Sequence, residues 1–119
     1  MTKILYIEDN QDTAEAVKII LTNAGFIIET ANSGKKGTAL AKKGFDIFLL
    51  DIMLPDMSGW DIFATLKKEG TKAKFAFLSA IPVSGERMNE LKKAGVSDYI
   101  TKPFTKEDLV NRVKKIAER

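Results

Sequence analysis

The chain contains no cysteine and no histidine. Without cysteine there are no disulfides, thiolate zinc sites, iron–sulfur clusters or thiol nucleophiles. Without histidine there is no Ser-His-Asp catalysis, no imidazole-ligated metal and no phosphohistidine on this chain. Chemistry is left to carboxylates, hydroxyls, lysine, arginine and the backbone. No apolar run approaches the ~18 residues of a membrane span, and the N-terminus lacks a secretory signal pattern. A reduced, cytoplasmic setting without membrane attachment is expected. Neither sign of charge predominates. Lys and Arg number 19 against 16 Asp and Glu, a net of +3, so direct nucleic-acid binding is not expected.

What is present is ordinary for a globular protein. The 119 residues are 45% hydrophobic and 29% charged, which fits one domain over residues 1–119. Such a chain buries roughly two-thirds of its unfolded surface and needs no metal or disulfide to fold.

Short apolar runs alternate with amphipathic stretches. Strands are expected at 3–8, 26–31, 45–50, 74–79 and 96–101, which are short and rich in β-branched and aromatic residues. Residues 45–50 (FDIFLL) are almost continuously apolar, as in a strand covered on both faces. Between them the period becomes helical. Val17, Ile20, Leu21 and Ala24 form one stripe, capped by Asn10 or Asp12 and ended by Gly25. Ser33 can cap a second helix running to Gly44. Ser58 can cap a third, with Ile62, Phe63 and Leu66 inward and Gly70 beyond. Ser84 can cap a fourth, with Met88, Leu91 and Ala94 inward and Gly95 as its stop. Thr105 can cap the last, with Leu109, Val110, Val113, Ile116 and Ala117 inward, and Thr105…Asp108 resembles a capping box. A strand–helix unit repeated five times argues for a parallel sheet with helices on both faces.

All strands of a parallel sheet end on the same edge, where ligands bind. The first strand ends in Glu8-Asp9, the third in Asp51, the fourth in Ser79 and the fifth in Thr101-Lys102-Pro103. Singly, each reads as turn chemistry or surface charge. Together they bring three carboxylates, a hydroxyl and an ammonium to one edge. Carboxylates so close repel unless one stays protonated or a cation intervenes. An all-oxygen donor set suits Mg²⁺, with Mn²⁺ possible, rather than zinc. The ensemble reads as a phosphoryl-transfer site: one carboxylate attacks phosphorus while the metal and Lys102 neutralise its oxygens and Ser79 bonds one of them.

These residues resemble a receiver domain of two-component response regulators over essentially the whole chain. The likeness rests on Glu8-Asp9, on Leu49-Leu50-Asp51-Ile52-Met53-Leu54-Pro55-Asp56-Met57-Ser58-Gly59, on Ser79-Ala80, on Tyr99 and on Lys102-Pro103-Phe104. It implies a flavodoxin-like α/β fold, a five-stranded parallel sheet in the order 2-1-3-4-5. It implies Asp51 as phosphoryl acceptor, with Asp9 binding Mg²⁺ directly, Glu8 through water and Met53 through its backbone carbonyl. Lys102 would contact the acceptor and then the phosphoryl group, across a cis bond to Pro103. Ser79 would move toward the phosphoryl oxygen and Tyr99 swing inward, changing the face of the fourth helix, fifth strand and fifth helix. That change is a population shift driven by the added charge and acceptor oxygens. The implied partners are a histidine kinase or His-phosphotransfer protein and a downstream protein target. The implied association state is a monomer or a phosphorylation-dependent dimer.

The sequence departs from the family pattern in places. Glu8 stands where Asp is commoner, and its longer arm bears on the water-mediated metal contact. Ser79 replaces a frequent Thr. Met53 and Ile81, two residues past Asp51 and Ser79, are apolar and are expected to shield an acyl phosphate from water. Trp60 is the sole tryptophan, expected to serve core packing. The basic side chains Lys92, Lys93, Lys106, Arg112, Lys114 and Lys115 on the late helices suit solvent or an acidic protein partner.

Three other readings compete. An aspartyl-phosphate phosphatase would need a general acid two residues past the nucleophile, where Met53 cannot move a proton. A nucleotide or flavin binder would need a phosphate cradle where Glu8-Asp9-Asn10 stands. A receiver-like module that is never phosphorylated would not need the complete acidic, Ser and Lys set. The expectation is a signalling switch that catalyses only its own phosphorylation and slow dephosphorylation, with no output domain, because the chain ends just past its fifth helix.

Overall fold

A computed structural model describes residues 1–118. Five strands alternate with five helices: β1 Lys3–Ile7, α1 Gln11–Asn23, β2 Ile27–Ala31, α2 Gly34–Ala41, β3 Ile47–Leu50, α3 Gly59–Lys68, β4 Lys74–Ser79, α4 Gly85–Ala94, β5 Val96–Thr101 and α5 Lys106–Glu118. The strands form one parallel sheet in the order β2-β1-β3-β4-β5, as the family resemblance implies.

The local chemistry explains the boundaries. Asn10 accepts from the Thr13 N–H, and Ser33, Ser58, Ser84 and Thr105 each accept from the N–H three residues on. Each thereby satisfies a donor that the first helical turn leaves open. The box expected at Thr105 is only half made, because the Asp108 carboxylate is taken by Arg112 Nε at 3.1 Å. Gly95 ends α4 at φ 108°, a left-handed conformation that favours glycine. β3 is shorter than expected: Phe45 and Asp46 precede it, and the Asp46 carboxylate accepts from the Lys3 N–H at 2.8 Å.

Two apolar layers flank the sheet. One combines Ile4, Tyr6, Ile47, Leu49, Ala76, Leu78 and Ile100 with inward residues of α1 and α5. The other combines Leu5, Ile7, Phe48, Leu50, Phe75, Phe77 and Tyr99 with α3 and Leu91 of α4. All four residues of β3 are buried, as expected of the central strand. Helix α4 is the thinnest attachment. Leu91 is its one buried residue, Met88 is partly buried, and Ala94, expected inward, is exposed. Arg87 compensates from outside by lying over the Trp60 ring of α3, 5.2 Å from its centroid, while Trp60 packs on Phe77 at 4.4 Å. Among the described residues no helix is long and apolar enough to cross a membrane.

Candidate functional site

The C-terminal edge of the sheet gathers the expected residues by backbone hydrogen bonds between strand ends. The Glu8 N–H reaches Ala31 O, the Asp51 N–H reaches Ile7 O and the Lys102 N–H reaches Ser79 O at 2.8–3.1 Å. Glu8 and Asp51 are buried at 2% and 7% exposure, Ser79 is buried, and Asp9 is exposed. One carboxylate oxygen from each of Glu8, Asp9 and Asp51 lies within 4.8 Å of the others. Lys102 Nζ contacts Glu8 Oε1 and lies 3.3 Å from Asp51 Oδ2. The contact with Asp51 was expected; the closer one with Glu8 was not.

The electrostatics follow from burial and pairing. Burial pushes Asp51 up, hydrogen bonding with Glu8 and its charge push it further, and Lys102 resists; the net is a raised pKa. Burial also works to raise Glu8, but hydrogen bonds from Lys102, Asp51, the Asn10 backbone and Tyr6 outweigh it, and Glu8 stays ionised below the usual range. A divalent cation between these groups relieves the same conflict. Three hard carboxylate oxygens fit Mg²⁺.

Tyr6 escaped the sequence reading. Its hydroxyl donates to Glu8 Oε1 at 2.9 Å from a fully buried position on β1. Burial, then the charge of Glu8, hold this phenol protonated well above its usual range. Every buried side-chain nitrogen or oxygen among the described residues has a partner.

Ser79 Oγ accepts from the Ile81 N–H at 3.2 Å. Tyr99, expected to swing inward, occupies the inward position here. It is 5% exposed, its hydroxyl donates to the Ile81 carbonyl, and its ring lies 6.1 Å from Phe77. The physical reason is that the Ile81 carbonyl offers the phenol an acceptor at the inner position. Met53 (69% exposed) and Ile81 (38%) are exposed apolar side chains of the loops after β3 and β4. The Met53–Ser58 bridge and the Gly59 N–H to Ile52 O bond close the loop that carries the Met53 carbonyl. The Lys102–Pro103 bond is cis, as implied. A cleft of about 320 Å³ lined by Glu8, Asp9, Gln11, Asn32 and Lys36 adjoins the site. A cavity of about 570 Å³ near Phe45, Asp46, Thr71 and Lys74 lies at the opposite edge of the sheet and takes no part in it.

Asp56 is a second residue whose role spacing did not disclose. Its carboxylate accepts from Gly34 N and Lys35 N, both at 2.8 Å, tying the loop after Asp51 to the start of α2. These two backbone bonds hold its pKa below the usual value. The linkage sign is that of a depressed acid: its stabilisation is complete above the unfolded pKa and fades as pH falls through the lower folded one. Asp56→Ala is therefore expected to melt below wild type at neutral pH. The gap should narrow progressively as pH falls below the ordinary carboxylate range. Thermal unfolding at each pH measures this; a gap independent of pH would remove the carboxylate from the account.

A parallel α/β sheet with an acidic cluster and a lysine at its C-terminal edge is an arrangement suited to phosphoryl chemistry. The family model for the response regulator receiver domain matches residues 4–114, and the chain belongs to that family. The transcriptional regulatory protein CusR of Escherichia coli is 37% identical over 98% of this chain and 52% of its own length. The cell cycle response regulator CtrA of Brucella ovis is 35% identical over 98% of this chain and 50% of its own. The chain thus spans about half the length of these curated relatives. The receiver domain of a Francisella response regulator superposes with TM-score 0.90 at 29% identity, covering 100% of this chain and 98% of that one. TrrA of Thermotoga maritima, solved in complex with Mg²⁺-BeF, superposes with TM-score 0.83 at 28% identity, covering 98% and 99%. Aspartate phosphorylation and Mg²⁺ binding are typical of the family.

Proposed function

We propose that the chain is a phosphorylation switch in which Asp51 accepts a phosphoryl group from a phosphohistidine on a histidine kinase or a His-phosphotransfer protein. The observation that carries this reading is the meeting of Glu8, Asp9 and Asp51 within 4.8 Å, with the Lys102 ammonium on Asp51. An Asp51 oxygen forms the O–P bond as the donor's N–P bond breaks, and the imidazole leaves with the electron pair and is protonated. Glu8, Asp9, Asp51 and the Met53 carbonyl would hold Mg²⁺, which neutralises charge on the phosphoryl oxygens when bound. Lys102 and Ser79 supply the remaining fixed donors. A change at Ser79 and Tyr99 is passed to the face of α4, β5 and α5, where Arg112 already bridges Asp98 and Asp108 at 3.0–3.1 Å. That face controls a protein partner. The likeness to TrrA, solved with Mg²⁺-BeF, supports the site assignment.

Turnover of an external phosphoester is not part of the reading, because Met53 occupies the general-acid position and carries no proton. A phosphohistidine donor implies a cytoplasmic setting. The test is mass spectrometry after incubation with acetyl phosphate and Mg²⁺. Wild type gains one phosphoryl group and Asp51→Asn gains none; labelling that survives the substitution rejects Asp51. Because its raised pKa marks ionised Asp51 as destabilising, Asp51→Asn also melts higher in Mg²⁺-free buffer. A second expectation concerns lifetime. If Met53 shields the acyl phosphate, Met53→Asn puts a polar amide in its place and phosphate loss should quicken severalfold. An unchanged decay rate would remove Met53 as a shield.

A further inference from the structure

The two oxygens of Glu8 are not equivalent. Oε1 is turned into the protein, where it accepts from the Tyr6 hydroxyl at 2.9 Å and from Lys102 Nζ. Two donors use the usual acceptor capacity of that oxygen. Oε2 takes the Asn10 backbone N–H at 3.2 Å, a long bond that leaves it room for a further donor. Glutamate reaches one methylene further than aspartate and has one more torsion to fix. Tyr6 sits two residues earlier on β1, hence on the same face of the strand, and its ring is fully buried. A phenol at that depth needs an acceptor, and a carboxylate one methylene shorter would draw back from it. Tyr6 and Glu8 are thus a matched pair.

We propose that Tyr6 is a positioning residue for the divalent-cation site: by donating to Oε1 it fixes the longer Glu8 side chain and leaves Oε2 as the oxygen available to the cation and its water. This rests on the reading that Glu8, Asp9 and Asp51 hold Mg²⁺. The Tyr6 hydroxyl gives its hydrogen bond to Glu8, so Tyr6 acts on the cation through that carboxylate. Outer partners of this kind orient the ligands they bond.

The test is a double-mutant cycle read by Mg²⁺ titration calorimetry, with Mn²⁺ and electron paramagnetic resonance as a second probe. Tyr6→Phe keeps the ring and removes the hydroxyl. It is expected to weaken Mg²⁺ binding about tenfold while thermal unfolding stays cooperative. In a Glu8→Asp background the same change should have no further effect, because the shorter acid does not engage the phenol. Phosphorylation by acetyl phosphate should show a raised Mg²⁺ half-saturation and an unchanged maximal rate. Mg²⁺ affinity equal to wild type in Tyr6→Phe overturns the inference. So does an equal loss in both backgrounds, which would mark a packing effect. If wild type itself binds no Mg²⁺, the cation reading of the whole site falls, and this inference with it.

Discussion

Lys102→Met is expected to slow phosphorylation by acetyl phosphate about a hundredfold while leaving the chain folded. Methionine keeps an unbranched apolar stem and removes the ammonium. In the native site that ammonium contacts Glu8 Oε1 and lies 3.3 Å from Asp51 Oδ2. Without it two buried carboxylates face each other with no fixed positive charge. Asp51 is already raised by burial and by Glu8, with Lys102 opposing. Removing the opposing charge lifts it further, so less of the nucleophile is ionised at a given pH, and the rate–pH profile moves to higher pH. The donor that would meet the phosphoryl oxygens is lost as well. Added Mg²⁺ should restore thermal stability, since it neutralises the carboxylates. It should not restore the rate, since it does not replace that donor. Initial rates followed by mass spectrometry decide the matter. A rate within about threefold of wild type would remove Lys102 from the chemistry.

Much of this site was legible because it depends on rules that act over short stretches of chain. The strand ends could be read because parallel strands share an edge, so Glu8, Asp9, Asp51, Ser79 and Lys102 had to converge. The helix starts could be read because Asn10, Ser33, Ser58, Ser84 and Thr105 each solve the same problem of open N–H groups. Strand order was not legible from periodicity; the family resemblance supplied it. What stayed hidden depends on distances between segments. Whether Lys102 meets Glu8 or Asp51 first is set by how β5 lies across β4, β3 and β1. Tyr6 reads as one more apolar residue in KILYIE, and its hydroxyl gains meaning only when Glu8 is seen to turn back onto it. Asp56 looks like turn chemistry after Pro55, yet it caps a helix 21 and 22 residues earlier in the chain. Ala94 fits the helical stripe, but α4 has too little apolar surface to bring it inward.

Gly59→Ala is expected to be more destabilising than the same change at Gly37 or Gly85, costing about 3 kcal/mol. Gly59 opens α3 and gives its N–H to the Ile52 carbonyl at 2.8 Å, which closes the loop that follows Asp51. A Cβ built there overlaps the Asp51 backbone carbonyl and stands 3.1 Å from Ile52 Cα. Both obstacles are backbone, anchored by the Asp51 N–H to Ile7 O bond, so neither can swing aside. The strain falls on the segment that aims the Asp51 side chain, and phosphorylation should fail along with stability. Two other glycines calibrate the effect. At Gly37 the added Cβ overlaps Cδ1 and Cγ1 of the buried, β-branched Ile7, a side chain rather than backbone, so a loss smaller than at Gly59 is expected. At Gly85, the first residue of α4, an added Cβ meets nothing within 4 Å. There alanine lowers the conformational entropy of the unfolded chain without a clash, and stability should rise by up to about 1 kcal/mol. Chemical denaturation of the three variants tests the order. A Gly59→Ala protein as stable as Gly85→Ala would mean that the loop can retreat, and that the close approach of α3 does not fix the acceptor.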